Sequence, residues 1–243
     1  MYQAGGAKEH RTVTRVTGIL ETVAHRGRAR VHELAEALDA PKSSVFGLVK
    51  GLVSTGYLVD DGGAYALGPA LGNLVPDGVG DLAEAARPSL DALRDGTGET
   101  AMLGTPVGNS LTYADSAESR EPIRYSAPLR QRRPLYPPSC GKVLLAHRAD
   151  RDARLAALLP TREVRAARAE LDEVRESGIA FNRGETRPDV SAAARPVVVG
   201  GEVVAALAVA GPSTRIGDRL PDVADKLASA TRATARRLTA LRT

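Results

Sequence analysis

The chain has 243 residues, 43% of them hydrophobic and 26% charged, which is ordinary for a globular protein and enough for one large domain or two modest ones. A single cysteine excludes an internal disulfide, four scattered histidines give no metal-ligand spacing, and 3% aromatic residues without tryptophan argue against stacking platforms for single-stranded nucleic acid. The net charge of +4 permits a nucleic-acid partner without demanding one, and no apolar run approaches the roughly 20 residues of a membrane helix.

The polar start, Met1 to Arg11, lacks the apolar core of a secretory signal, so the expectation is a cytoplasmic protein that avoids the membrane. Three helical stripes follow: Val16, Ile19, Leu20 and Val23; then Val31, Leu34, Ala35 and Leu38; then Val45, Leu48, Val49 and Leu52. Gly27 suits the C-terminal cap of the first helix, Pro41 the first position of the third, and Gly56 its end. The second and third helices are joined by only a few residues, the geometry of a helix-turn-helix. Tyr57–Val59 and Ala64–Leu67 flank Asp60-Asp61-Gly62-Gly63 and predict a β-hairpin. Three helices followed by a hairpin is the order of a winged helix-turn-helix.

The polar residues of this segment suit duplex DNA. The leading turn of the third helix, Lys42, Ser43 and Ser44, can meet phosphates and base edges, and one turn later Gly47 leaves room for close approach beside exposed Lys50. Arg26, Arg28 and Arg30 flank the second helix, where backbone contact is expected. Between Arg11 and Lys50 the basic residues (Arg11, Arg15, Arg26, Arg28, Arg30, Lys42, Lys50) outnumber the acidic ones (Glu21, Glu33, Glu36, Asp39), which supplies most of the net charge. The competing interpretation is a metabolite-binding protein whose three-helix domain contacts another protein.

Residues 1–75 are expected to form the DNA-binding domain, with a Gly- and Pro-containing linker at 71–81, and residues 82–243 the second domain. In it, Leu82–Arg94, the segment starting at Gly141–His147, Arg151–Leu159, Arg165–Glu176 and Asp222–Leu241 read as helices. Thr100–Thr105, Ser110–Ala114, Ile123–Ala127, Ile179–Arg183, Ala194–Val199 and Val203–Ala210 read as strands, the last two turning at Gly200-Gly201. An antiparallel sheet with helices packed on it follows, giving an α+β chain.

Chemistry is scarce. Cys140 and His147 lie two helical turns apart and could share a face, but no third group, paired carboxylates or phosphate-binding glycine pattern accompanies them, so an enzyme and a bound cofactor are not expected. Ser139, Cys140 and Gly141 precede the Lys142 helix, whose N-terminus could hold a carboxylate; equally, Ser139 could simply cap its own helix. Cys140 as a redox sensor is a further possibility, against which a lone thiol is more often packing.

Several segments in order resemble the IclR family of bacterial transcriptional regulators: Val31–Leu38, Pro41–Val45, Gly56–Leu58 and Tyr65–Pro69, then Arg87-Pro88, Gly98–Thr100, Leu135-Tyr136, Gly141–Ala146, Gly178–Ala180 and Gly211–Ile216. The resemblance implies a dimer or tetramer on a palindromic or direct-repeat operator and a C-terminal effector-binding domain with a GAF-like α/β fold. It also implies effectors that are small organic or aromatic acids. Two departures stand out. Arg30 replaces the usual Ser or Thr helix cap and cannot accept the orphan N–H bonds. Phe46-Gly47 replaces a polar or basic pair, which implies a missing DNA contact. Carried over from the family, the pocket positions fall on Asn182, Ala192, Ala208 and Ala210; three of the four lack a hydrogen-bonding group, so a larger or more apolar acid is expected.

Overall fold

The computed structural model describes residues 10–74 and 81–242. The chain divides into two compact units between Val79 and Gly80. The predicted linker 71–81 lies partly outside the described residues; its beginning belongs to a 3-10 helix, Pro69–Leu74.

The first unit runs α1 (Arg11–Arg26), β1 (Ala29–Arg30), α2 (Val31–Ala37), α3 (Lys42–Ser54), β2 (Leu58–Asp61) and β3 (Ala64–Leu67). The three apolar stripes meet in one core: Ile19 and Val23 of α1, Leu34 of α2, and Val45 and Val49 of α3 are buried with Leu58 and Tyr65 of the hairpin. This is what amphipathic helices of 7 to 16 residues require, since alone they would be marginal in water. Gly27, with φ of 76°, ends α1, and Pro41 is the N-terminal flanking residue of α3 rather than its first helical position. The hairpin turns on Gly62 and Gly63, both at positive φ (63° and 82°), as a tight two-residue turn between antiparallel strands demands. Composition did not announce β1, two residues long, which pairs with β3 so that the sheet order is β1-β3-β2.

The second unit contains α4 (Asp81–Thr97), β4 (Thr100–Val107), β5 (Ser110–Ala117), β6 (Arg133–Pro134), α5 (Ser139–Ala146), α6 (Arg151–Leu158) and α7 (Thr161–Ser177). It continues with β7 (Ala180–Arg183), β8 (Val190–Val199), β9 (Glu202–Pro212), α8 (Ser213–Ile216) and α9 (Leu220–Leu241). The strands form a six-stranded antiparallel sheet in the order β6-β5-β4-β9-β8-β7. Because side chains alternate along a strand, the sheet faces two cores. Leu103, Leu207 and Val209 pack with Leu90 and Leu93 of α4 and Val223 and Leu227 of α9. Met102, Ala192, Ala194, Ala206, Ala208 and Ala210 face the α5 and α7 side, with Val143, Leu145 and Leu171. The predicted Gly200-Gly201 turn is present, both residues at positive φ.

The Ile123–Ala127 strand is not. Pro122 and Pro128 flank the segment, and its carbonyls are taken by side chains: Thr100 Oγ1 donates to Tyr125 O at 2.5 Å and an Arg215 Nη2–H to Ile123 O at 3.0 Å. The edge strand beside β5 is instead β6, pairing Ser110 with Pro134 and Leu111 with Arg133.

Candidate functional site

In the first unit, the 3.6-residue repeat that buries Val45, Val49 and Leu52 leaves Ser43, Phe46, Gly47 and Lys50 on the opposite, exposed face of α3, with Lys42 exposed at its start. Ser44 sits between the two faces, half-buried, its hydroxyl accepting a 3.1 Å bond from Arg15 Nη1 of α1. It therefore helps fix α3 on α1 instead of standing free. Arg30 is exposed and makes no side-chain cap bond; its own backbone N–H donates to the Glu33 carboxylate at 2.6 Å, which draws that carboxyl below its usual range. The hairpin tip carries two carboxylates. Asp60 accepts from the Gly63 N–H at 2.9 Å and from Lys50 Nζ at 3.2 Å, and these bonds, the backbone one foremost, lower its pKa. Asp61 pairs with Arg28 at 3.0 Å. Both ion pairs are solvent-exposed and so weakly held, which leaves Arg28 and Lys50 free to exchange a carboxylate for a phosphate.

In the second unit a small cleft opens on the α5 side of the sheet. Its floor is Met102, Tyr113, Ala192 and Ala210; Pro138 and Ser139 at the start of α5 form one wall, and Asn182, Thr186 and Arg187 another. Arg133, Tyr125 and Val190 complete it. Its space comes from the run of alanines on this face, where the opposite face carries leucine and valine. Asn182 spends its amide N–H groups internally, on Pro137 O (3.0 Å) and Thr186 Oγ1 (2.8 Å). Arg133 lies 5.4 Å from the Tyr113 ring centroid, and its buried Nε finds no hydrogen-bond acceptor. Burial raises the Tyr113 phenol well above its usual pKa, so it stays neutral.

Beside the cleft lies a buried charge cluster. Lys142, wholly inaccessible to solvent, donates from Nζ to Glu170 and Glu185, each at 2.5 Å, and to Phe181 O at 2.9 Å. Tyr136 donates its hydroxyl to Glu170 at 2.7 Å, and burial together with that carboxylate raises the phenol pKa. Glu185 belongs to the loop between β7 and β8 that also supplies Thr186 and Arg187 to the cleft.

Comparison with known proteins decides what these two units are. Residues 12–62 match the IclR helix-turn-helix domain, and residues 78–240, well over half the chain, match the family described as bacterial transcriptional regulator IclR C-terminal. The chain belongs to the IclR family of transcriptional regulators. It is 31% identical over 91% of its length to the HTH-type transcriptional regulator BhcR of Paracoccus denitrificans, covering 85% of that protein. An IclR transcriptional regulator from Silicibacter sp. TM1040 superposes with a TM-score of 0.76 at 28% identity, over 93% of this chain and 96% of the other. An IclR homologue from Microbacterium hydrocarbonoxydans, solved with 4-hydroxybenzoate, has the same fold (TM-score 0.75, 23% identity, 94% and 99% covered). This regulator is thus a DNA-binding protein with a small-molecule-binding domain, and the family assignment favours DNA over a protein partner for the three-helix unit.

For this IclR-family chain the predicted pocket residues divide. Ser139, Asn182, Ala192 and Ala210 line the cleft; Cys140, Gly141 and Ala208 do not. Ser139 neither precedes its helix nor caps it, because α5 begins at Ser139 itself and Pro138 is the flanking residue, without a side-chain cap bond. Gly141 is needed where α5 crosses the preceding segment, since a Cβ there would lie 2.1 Å from Leu135 O. Cys140 Sγ points at the sheet, 3.9 Å from Ala206 O, while His147 Nδ1 turns back to Val143 O of its own helix. The structure does not bring them together. Burial pushes the Cys140 thiol up to about 12, where neither nucleophilic attack nor redox sensing is served at neutral pH. A thiol reagent such as DTNB is expected to modify none of the folded protein at pH 7.5 and one equivalent after denaturation; rapid reaction of the folded chain would restore a redox role.

Proposed function

We propose that the cleft of the second unit binds an organic acid, with its carboxylate on Arg133 and its apolar body against Met102, Ala192 and Ala210. The observation that carries this reading is the Arg133 guanidinium, whose buried Nε lacks an acceptor at the edge of a mostly apolar cleft. A buried, unpaired donor costs free energy that an anionic ligand recovers. Arg187, lining the same cleft, adds positive charge. The 4-hydroxybenzoate bound by the Microbacterium homologue is of this chemical class. The sequence-based expectation of a pocket poorer in polar groups is thereby modified: the alanines leave room, and arginines from outside the carried-over positions supply the polarity.

On the DNA side, Lys42, Ser43, Phe46, Gly47 and Lys50 form the face offered to the major groove, with Arg28 and Arg30 toward the phosphates and Ser44 holding α3 to α1. The regulator acts in the cytoplasm as a homodimer or homotetramer. Acid binding biases the spacing of its recognition helices, so operator affinity and effector affinity change by the same factor.

Isothermal calorimetry with matched pairs tests the effector class: benzoate and 4-hydroxybenzoate against benzamide and 4-hydroxybenzamide, with glyoxylate as the compact acid. Binding of the aromatic acids but not the amides supports the reading; binding of glyoxylate alone, or of amides as tightly as acids, overturns it. Lys42→Ala is expected to weaken binding to all duplexes alike and to make the slope of log K against log salt shallower by about 1, the signature of one lost phosphate contact.

A further inference from the structure

The exposed face of α3 carries a large apolar side chain among its polar ones. Phe46 leaves 48% of its surface in solvent, in the centre of the stripe made by Ser43, Gly47 and Lys50. A cation stands beside it: Lys50 Nζ lies 5.5 Å from the ring centroid. That lysine is itself tethered, to Asp60 at 3.2 Å and over the Tyr65 ring at 5.9 Å. The ring thus lies on the side of the hairpin, next to a lysine that can turn to a phosphate. Next to it, Gly47 has helical geometry and nothing within 4 Å of where a Cβ would stand, so internal packing does not demand a glycine. A helix former would serve the fold better at that position. The absent side chain leaves room for something arriving from outside.

A phenyl ring neither donates nor accepts a hydrogen bond, so it cannot read the polar edges of guanine, adenine or cytosine. The one apolar mark on a base edge in the major groove is the C5-methyl of thymine. We infer that Phe46 is a specificity-determining residue, packing on a thymine methyl in each half-site while the bare backbone at Gly47 lets α3 sit close enough for that contact. This rests on the reading above that α3 is the groove helix. It also changes the meaning of the Phe46-Gly47 pair: an apolar contact takes the place of a polar one, and none is missing.

The test uses the full chain and needs no prior operator. Duplexes are selected from a random pool with the wild-type protein, and each thymine of the selected half-site is then replaced by deoxyuridine, which removes only the methyl. At one position per half-site the wild type should bind the uracil duplex about fourfold more weakly, the worth of one buried methyl. Phe46→Ala should bind the thymine and uracil duplexes equally, and Phe46→Leu, still apolar, should keep most of the discrimination. Both variants should match the wild type in thermal unfolding. The inference falls if no thymine is sensitive, if Phe46→Ala discriminates as the wild type does, or if Phe46→Ala changes oligomeric state with the methyl effect intact, which would make the ring a contact between copies. A selection that returns no common sequence would instead overturn α3 as the groove helix, and the inference with it.

Discussion

Lys142→Met is expected to cost about 3 kcal/mol of the second unit's stability, at the lower end of the range for breaking a buried ion pair. Methionine fills the space of the lysine stem, so the loss isolates the charge. What remains are two carboxylates, Glu170 and Glu185, facing the place of a vanished ammonium, with Phe181 O deprived of its donor. The lower end applies because the carboxylates are about one-third exposed (32% and 37%) and can turn to water, whereas Lys142 has no accessible surface. Urea unfolding followed by circular dichroism measures it. A midpoint shift corresponding to less than about 1 kcal/mol would mean that desolvating Lys142 nearly cancels what its partners return. Glu185→Gln should be milder, because Glu170 and Phe181 O still hold the ammonium.

Arg133→Met is expected to reduce affinity for the best aromatic acid by about 30-fold or more, equivalent to at least about 2 kcal/mol, the usual consequence of truncating one partner of a buried charged contact. Folding should lose no more than about 1 kcal/mol, since the guanidinium Nε has no acceptor to lose, the stem can be replaced by methionine, and the contact given up is the one over the Tyr113 ring. Calorimetry reads the affinity and thermal unfolding of the unliganded variant reads the fold. If the two fall together, Arg133 is structural; if the acid binds Arg133→Met as tightly as the wild type, the carboxylate lies elsewhere.

The sequence made the first unit legible because its signals are local. Helical periodicity separated Val45, Val49 and Leu52 from Ser43, Phe46, Gly47 and Lys50, and the Gly62-Gly63 pair marked the hairpin. In the second unit the Gly200-Gly201 turn was equally plain. Long-range chemistry was not. Lys142 looks like any helical surface lysine, because its carboxylates come from 28 and 43 residues further along the chain. Arg133 stands in a basic, proline-ended run with no periodicity, and only its pairing with Leu111 at the sheet edge brings it to the cleft. Ile123–Ala127 shows the reverse failure. Its residues are β-prone, but two of its carbonyls accept from the Thr100 and Arg215 side chains in place of a strand partner. Cys140 and Gly141, expected at the start of the Lys142 helix, and Ala208, carried over from the family, sit close to the cleft in sequence or on the same sheet face, but they pack against Ala206, Leu135 and the α5 core respectively.

The even-numbered alanines of β9 have an evolutionary corollary. Positions 206, 208 and 210 face one core, and 205, 207 and 209 the other. Of these only Ala210, with its cross-strand partner Ala192, lines the cleft, so under the proposed reading descendants of this gene can retune which molecule they answer to by exchanging that small pair, while the intervening residues keep the scaffold unchanged. Selection on recognition and selection on folding act on interleaved letters of the same strand, and neither has to wait for the other.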